Sequence, residues 1–233
     1  IASELPLRAI AELVGCPAEE RGKLVAWSNQ MVGFEDPEFS NRDNATGAMV
    51  EMLEYASYLA KLRRDDPREE LTSVLVNAEV DGEKLDDLTF NMFFILLILA
   101  GNETTRNAIS GGMLALSEHP DQRAKLAGDL SLLTPATEEI LRYVSPVISM
   151  RRTATQDTEI GGQKIRENEK VVMFYPSANR DAAVFPDPHT FDIKRDPNVH
   201  LAFGWGPHFC LGANLARGEI RSIFAELLTR LPD

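Results

Sequence analysis

The chain is 233 residues long, 44% hydrophobic and 26% charged, a globular composition that excludes a disordered or fibrous protein. Its 24 Lys and Arg stand against 36 Asp and Glu, a net charge of −12 that disfavours nucleic acid and anionic lipid as partners. Two cysteines, Cys16 and Cys210, cannot form a zinc cluster or a disulfide framework, so reduced thiols in a cytoplasmic protein are expected.

The longest apolar run, residues 92–101, is shorter than the roughly 18 residues a spanning helix needs, so no membrane span is expected. The N-terminus has neither a basic nor an apolar leader region. It also lacks a methionine, so the chain reads as a piece of a longer protein.

In chain order, Leu7, Ile10, Ala11, Leu13 and Val14 recur at helical spacing, and Gly15 with Pro17 stops that helix. Residues 18–31 form a second helix. Residues 33–46 are rich in Gly, Pro, Asp and Asn and read as a loop. Further helices are expected at 48–64 and 70–78, with a turn at 80–83. The next helix, capped by Asp86 or Asp87, meets no breaker before His119-Pro120. Its first half, 90–100, is apolar nearly all round, which predicts a path through the middle of the fold. Gly101, Glu103 and Thr104 sit at its centre. Glycine there costs roughly 1 kcal/mol against alanine, and an unpaired buried carboxylate costs more. Such departures mark functional sites.

Residues 120–129 form a short helix. Thr134 is expected to cap the next, with Pro135 at its first position and its end before Pro146. Then the period changes. Strands are expected at 150–153, 158–160 and 170–174, with Gly161-Gly162 as a hairpin turn. Residues 176–206 hold four prolines and little periodicity, so the segment should be functional or clamped. An amphipathic helix over 213–231 closes the chain. The fold class is mainly α with a small antiparallel β region.

Three segments carry chemistry. In Phe203-Gly204-Trp205-Gly206-Pro207-His208-Phe209-Cys210-Leu211-Gly212, glycines allow a tight turn beside a flat ligand. The cysteine falls just before a helix, whose N-terminal dipole stabilises a thiolate. Such a thiolate is a nucleophile or a soft metal ligand; a lone cysteine would otherwise read as core. Glu139 and Arg142 are three apart on one helix face; alone, they would read as a surface ion pair of about 0–1 kcal/mol. The third segment is Ala100 to Thr105.

Together Ala-Gly-x-Glu-Thr-Thr, Glu-x-x-Arg and Phe-Gly-x-Gly-x-His-x-Cys-x-Gly, in that order along the whole chain, resemble the cytochrome P-450 haem-thiolate monooxygenases. The resemblance implies a single P-450-like domain over 1–233, incomplete, representing the central and C-terminal part. It implies haem b (iron protoporphyrin IX) with Cys210 as the axial iron ligand, the thiolate favouring O–O cleavage. Arg152 and His208 match propionate-binding positions. Phe203 matches the aromatic beside the thiolate, within a loop framed by Gly204 and Gly212. Glu139, Arg142 and Arg195 match a structural ion-pair set. Glu103 and Thr104 match the acid–alcohol pair that delivers protons.

The apolar Leu97, Ala100, Val147, Ile148 and Met150 match substrate-facing positions, implying a hydrophobic small-molecule substrate. Local phrases are similar to actinobacterial members that oxidise sterol side chains or branched fatty acids. A ferredoxin-type electron donor is implied. Arg217 and Arg221, one turn apart, read either as a solvated face or as its docking patch. A truncated non-catalytic remnant and a peroxide-using haem enzyme stand as alternatives. Cys16 and Trp27 read as packing and His119 and His189 as surface, while His200 reads either as a cap on the loop leading to Phe203 or, less favoured, as a residue with a direct haem role.

Overall fold

The computed structural model describes residues 2–33 and 41–231. The chain forms two compact units, Ile1–Arg106 and Asn107–Asp233.

The first unit is helical. It comprises α1 (Glu4–Leu13), a 3-10 turn (Ala18–Glu20), α2 (Arg21–Val32), α3 (Arg42–Asp65), α4 (Leu71–Asn77), a hairpin of β1 (Glu79–Val80) and β2 (Glu83–Lys84), and α5 (Asp87–Glu118) as far as Arg106. Apolar stripes of α1, α2, α3 and α5 bury Leu7, Ile10, Leu24, Met52, Leu59, Phe90, Phe94 and Ile98 in one core. α3 begins six residues before the expected start, because Asn41 accepts a hydrogen bond from the Asn44 N–H and caps the helix. Residues 42–46 of the expected loop are therefore helical. Residues 34–40 lie outside those described.

Asp86 caps α5, accepting from the Thr89 backbone N–H at 2.9 Å and hydroxyl at 2.7 Å. The helix continues unbroken past Gly101, where an added Cβ would lie 3.3 Å from the Ile10 side chain. That glycine lets α1 approach. The path expected for residues 90–100, through the middle of the fold, is met on one face only. Phe90, Phe94 and Ile98 are buried, but Met92 and Leu96 are about half exposed, at 45% and 58%. The length argument also needs correcting: polar residues interrupt the apolar run, yet by length and composition α5 is long and apolar enough to cross a membrane. Less than half of that stretch is buried.

The second unit holds the remainder of α5, α6 (Pro120–Gly128), a 3-10 turn (Leu130–Leu132), α7 (Leu133–Val144), four strands, α8 (Tyr175–Ala178), a second 3-10 turn (Gly206–His208) and α9 (Ala213–Arg230). β3 (Ser149–Thr153) pairs antiparallel with β6 (Lys170–Phe174), with Met150 opposite Met173. β4 (Thr158–Ile160) pairs with β5 (Gln163–Ile165) across Gly161-Gly162, whose φ values of 58° and 82° suit a two-residue hairpin. The fold class expected from the sequence is met.

Thr134 is not a cap. Asp129 caps the 3-10 turn instead, accepting from the Ser131 N–H, and that turn runs straight into α7. Thr134 and Pro135 therefore fall inside the first helical turn. α5 also packs tightly here: an added Cβ at Gly112 would meet Ile140 of α7 at 2.8 Å and Phe224 of α9 at 3.0 Å. Gly112→Val should destabilise the protein by about 1–3 kcal/mol, the usual cost of overpacking. Thermal denaturation checks this, and an unchanged midpoint would contradict that contact.

Candidate active site

The site builds outward from the loop before α9. Gly204 and Gly206 take φ values of 74° and 69°, conformations that a side chain disfavours. The turns they make close the loop. Gly204 N–H donates to the Leu201 carbonyl at 2.8 Å, Phe209 N–H to Gly206 at 2.9 Å, and Cys210 N–H to Phe203 at 2.9 Å. Gly212 is the N-cap residue of α9, with no side-chain cap bond, so the unpaired N–H groups of the first helical turn lie just past the cysteine. Cys210 is a free, half-buried thiol. Its neighbours Phe209 and Leu211 are 50% and 79% exposed. At Gly206 and Gly212 an added Cβ would meet nothing within 4 Å.

Behind the loop lies a buried ion-pair set. Glu139 and Arg142 are both fully buried. Arg142 donates Nε and Nη2 to the Glu139 carboxylate at 2.8 Å each. Its remaining N–H groups go to the carbonyls of Asn179, Pro188 and Thr190. Arg195 Nε reaches Glu139 Oε2 at 3.2 Å, and its other nitrogens hold the carbonyls of Pro186, Asp187 and Thr190. Asp192 N–H and Asn198 Nδ2 complete the shell around Glu139. The three residues expected as a set from the sequence are brought together.

A second cluster was not legible. Glu138 accepts two bonds from Arg217, at 2.7 and 2.8 Å, and contacts His200 Nε2 at 3.1 Å. The Arg217 guanidinium stacks 4.5 Å from the Phe203 ring centroid. Burial alone would push the Glu138 carboxyl up, but bonds to His200 and Arg217 outweigh it and hold it at about 2. Arg217 is therefore engaged rather than solvated. Arg221 has no ion pair among the described residues. A Glu-Glu step on an amphipathic helix was the only sequence signal for Glu138.

Arg152 lies on the exposed strand β3 and its guanidinium donates only to the Arg151 carbonyl. His208 is exposed in the 3-10 turn. Neither has a carboxylate partner among the described residues. Ile148 and Met150 are exposed and Val147 half-buried. An open groove beside Ile148 is lined also by Val144, Pro176, Ser177, Arg180 and His189, with no residue from the Cys210 loop. In the first unit, Thr104 donates its hydroxyl to the Ala100 carbonyl at 2.7 Å. Glu103 is buried and pairs with Arg106, while its Oε1 has no partner. Leu97 is half-buried and Ala100 exposed.

Cys16 is core, as expected, and accepts from the Tyr55 hydroxyl at 3.2 Å. Trp27 packs on Tyr55, His189 is exposed, and His200 Nδ1 accepts from Ala202 N–H at 3.2 Å within the loop it was expected to cap. His119 is corrected: it is half-buried, its ring against Tyr143 and Phe191, because the adjacent proline starts a packed helix rather than an open loop.

The second unit thus sets a glycine-turned cysteine at a helix start beside a buried Glu–Arg–Arg set, in a mainly helical fold. The cytochrome P-450 family profile matches residues 48–231. Over its full length the chain is 49% identical to a methyl-branched lipid omega-hydroxylase of Mycobacterium tuberculosis and 46% identical to a steroid C26-monooxygenase of Mycolicibacterium smegmatis, covering 55% and 54% of them. A Mycobacterium marinum cytochrome P-450 in complex with pseudoionone superposes with a TM-score of 0.94 at 44% identity, matching all of this chain and 57% of that one. The chain belongs to the cytochrome P-450 family and spans about half the length of the curated relatives it matches.

The family implies haem b. The residues present fit it: a soft sulfur donor is flanked by exposed apolar side chains and open glycines, and the basic side chains of Arg152 and His208 have no carboxylate partner among the described residues.

The low carboxyl of Glu138 gives a pH prediction. Its folded value of about 2 lies below the ordinary 4.5, so its stabilisation is complete above pH 4.5 and lost as pH falls towards 2. Comparing acid unfolding of the wild type with Glu138→Gln should reveal a stability difference that disappears over that window. A difference constant down to pH 2 would refute it.

Proposed function

We propose that the whole protein is a haem-dependent monooxygenase inserting one oxygen atom from dioxygen into a C–H bond of a hydrophobic substrate. The observation that carries this is the partly exposed Cys210 thiol just before α9, on a residue whose backbone N–H donates to the Phe203 carbonyl. We take residues 1–233 as the central and C-terminal part of one cytoplasmic P-450 domain. Haem b, when bound, supplies the redox chemistry of dioxygen, and a thiolate ligand favours O–O cleavage.

Cys210 would hold the iron, and Arg152 and His208 the propionates. Gly204 and Gly212 would allow the loop to lie close to the flat group. Phe203 would shield the sulfur. Glu139, Arg142 and Arg195 are scaffold. Glu103, whose buried Oε1 has no hydrogen-bond partner among the described residues, would relay protons from solvent, and the Thr104 hydroxyl would hydrogen-bond the oxygen species or a water. Leu97, Ala100, Val147, Ile148 and Met150 would meet the substrate. The names of the relatives favour a sterol side chain or a methyl-branched lipid as that substrate.

The electron donor would be a ferredoxin-type protein. Acidic residues number 20 against 10 basic in the first unit, a net of −10, and 16 against 14 in the second, a net of −2. An acidic carrier is therefore less repelled by the cysteine-bearing unit, where Arg221 is the freer of the two cations suggested for docking.

The ferrous carbonyl spectrum tests the reading. A thiolate ligand should give a strongly red-shifted Soret band, and Cys210→Ser should abolish it. An unchanged band would refute the ligand assignment, and no Soret band at all would point to a non-catalytic remnant. Titration with steroids and branched fatty acids should produce a low-to-high spin shift with the true substrate class.

A further inference from the structure

Neither holding a haem nor bracing the irregular chain requires the Glu138 cluster. Its geometry is specific. Both oxygens of Glu138 are occupied by the two-pronged Arg217, and Oε2 also contacts His200. His200 Nδ1 accepts the Ala202 N–H, so its proton sits on Nε2, facing Glu138. The His200 side chain is 3% exposed. Arg217 is thus fixed edge-on by a carboxylate, and its flat face is left to the Phe203 ring. The Phe203 carbonyl in turn receives the Cys210 N–H at 2.9 Å. The bonds to Glu138 keep Arg217 above its ordinary range.

We propose that Arg217 is a positioning residue for Cys210: Glu138 and His200 orient its guanidinium, which backs the Phe203 ring and so fixes the hydrogen bond that seats the cysteine, and its charge is held beside the loop that carries the sulfur. Stacking on an aromatic face together with a bidentate carboxylate requires a planar fork, which arginine has and lysine lacks. α9 supplies the cation and α7 the carboxylate, so the Phe203 ring is backed by a group held from two helices. This rests on the haem-thiolate reading only for the electronic half of the claim.

Two measurements on Arg217→Gln and Arg217→Lys test it. In the haem-free protein, amide hydrogen exchange at Cys210 should quicken by about tenfold in Arg217→Gln, as expected when one hydrogen bond loses its support. Amides in the middle of α9 should keep their rates. In the haem-loaded protein, the midpoint potential should become more negative in Arg217→Gln, because a cation that favoured the added electron is gone. Arg217→Lys should restore most of the potential but not the exchange protection, since it returns charge without the planar face. Unchanged Cys210 exchange would overturn the proposal. So would faster exchange with an unchanged potential, which would make Arg217 a brace alone. If Arg217→Gln loses its helical circular dichroism, Glu138→Gln, which frees the fork but keeps the cation, should quicken Cys210 exchange in the same way, and unchanged exchange there would overturn the proposal. A wild-type protein without a thiolate Soret band would sink the proposed function instead, and Cys210 exchange would then decide the positioning claim.

Discussion

The second unit depends on one buried ion pair. Taking Glu139 and Arg142 out of water costs several kcal/mol per ion unless every donor and lone pair is matched. Here the matching is complete on the arginine side: all five N–H groups of Arg142 find acceptors, two on Glu139 and three on backbone carbonyls. Those carbonyls belong to residues 179–190, within a stretch that lacks helix or strand after α8. Backbone groups in such a stretch need partners as much as those in a helix. Two arginines supply them, since Arg195 takes the carbonyls of Pro186, Asp187 and Thr190. The pair therefore acts less as an attraction between two charges than as a template on which an irregular chain is folded.

From that template the order passes to the cysteine in short steps. Ser145 closes α7 in the left-handed region, at φ 48°, and its hydroxyl meets the Asn179 amide at 2.9 Å. The same Asn179 accepts the Leu201 N–H at 2.7 Å. Leu201 accepts from Gly204, and Phe203 from Cys210. Each link is a single bond of modest net strength, about 1 kcal/mol, but all are anchored to groups that cannot move without exposing a buried charge. A half-buried sulfur is thereby held in place by a loop that has almost no secondary structure of its own.

The sequence carried the parts of this that depend on residue identity at fixed spacing. Glu139, Arg142 and Cys210 were legible because only a few side chains can do their work, and Arg195 because a resemblance aligned it. The helices were legible from period, and the long α5 from the lack of breakers. What depends on tertiary approach was not. Glu138 looks like any polar neighbour of Glu139, and Arg217 like any arginine on an exposed face, until α7 and α9 bring them to 2.7 Å. Gly101 broke a local rule and was read as a site mark, yet the side chain of Ile10 explains it by packing. β5, with Gln163 and Lys164 exposed, had no apolar alternation to reveal it. The early start of α3 was hidden because its first turn is polar and solvent-facing, leaving the Asn41 cap as the only cue.

Three glutamates of the same unit make the electrostatic logic plain. Glu139 is wholly buried and surrounded by donors. Glu138 is a quarter exposed and carries an arginine and a histidine, which pull its carboxyl down to about 2 despite burial. Glu219 on α9 is 7% exposed and has no hydrogen-bond or ion-pair partner among the described residues; burial pushes it up to about 7. Burial of similar side chains on neighbouring helices thus yields opposite shifts, and the difference lies in the donors each one meets. The sign of the stability each lends is opposite too. Glu138 stabilises above pH 4.5, whereas the stability gained from keeping Glu219 protonated fades as pH rises from 4.5 through 7. The cations are concentrated where a loop must be immobilised, beside Glu138 and Glu139, while the carboxylate that braces nothing is left to be neutralised by its own burial.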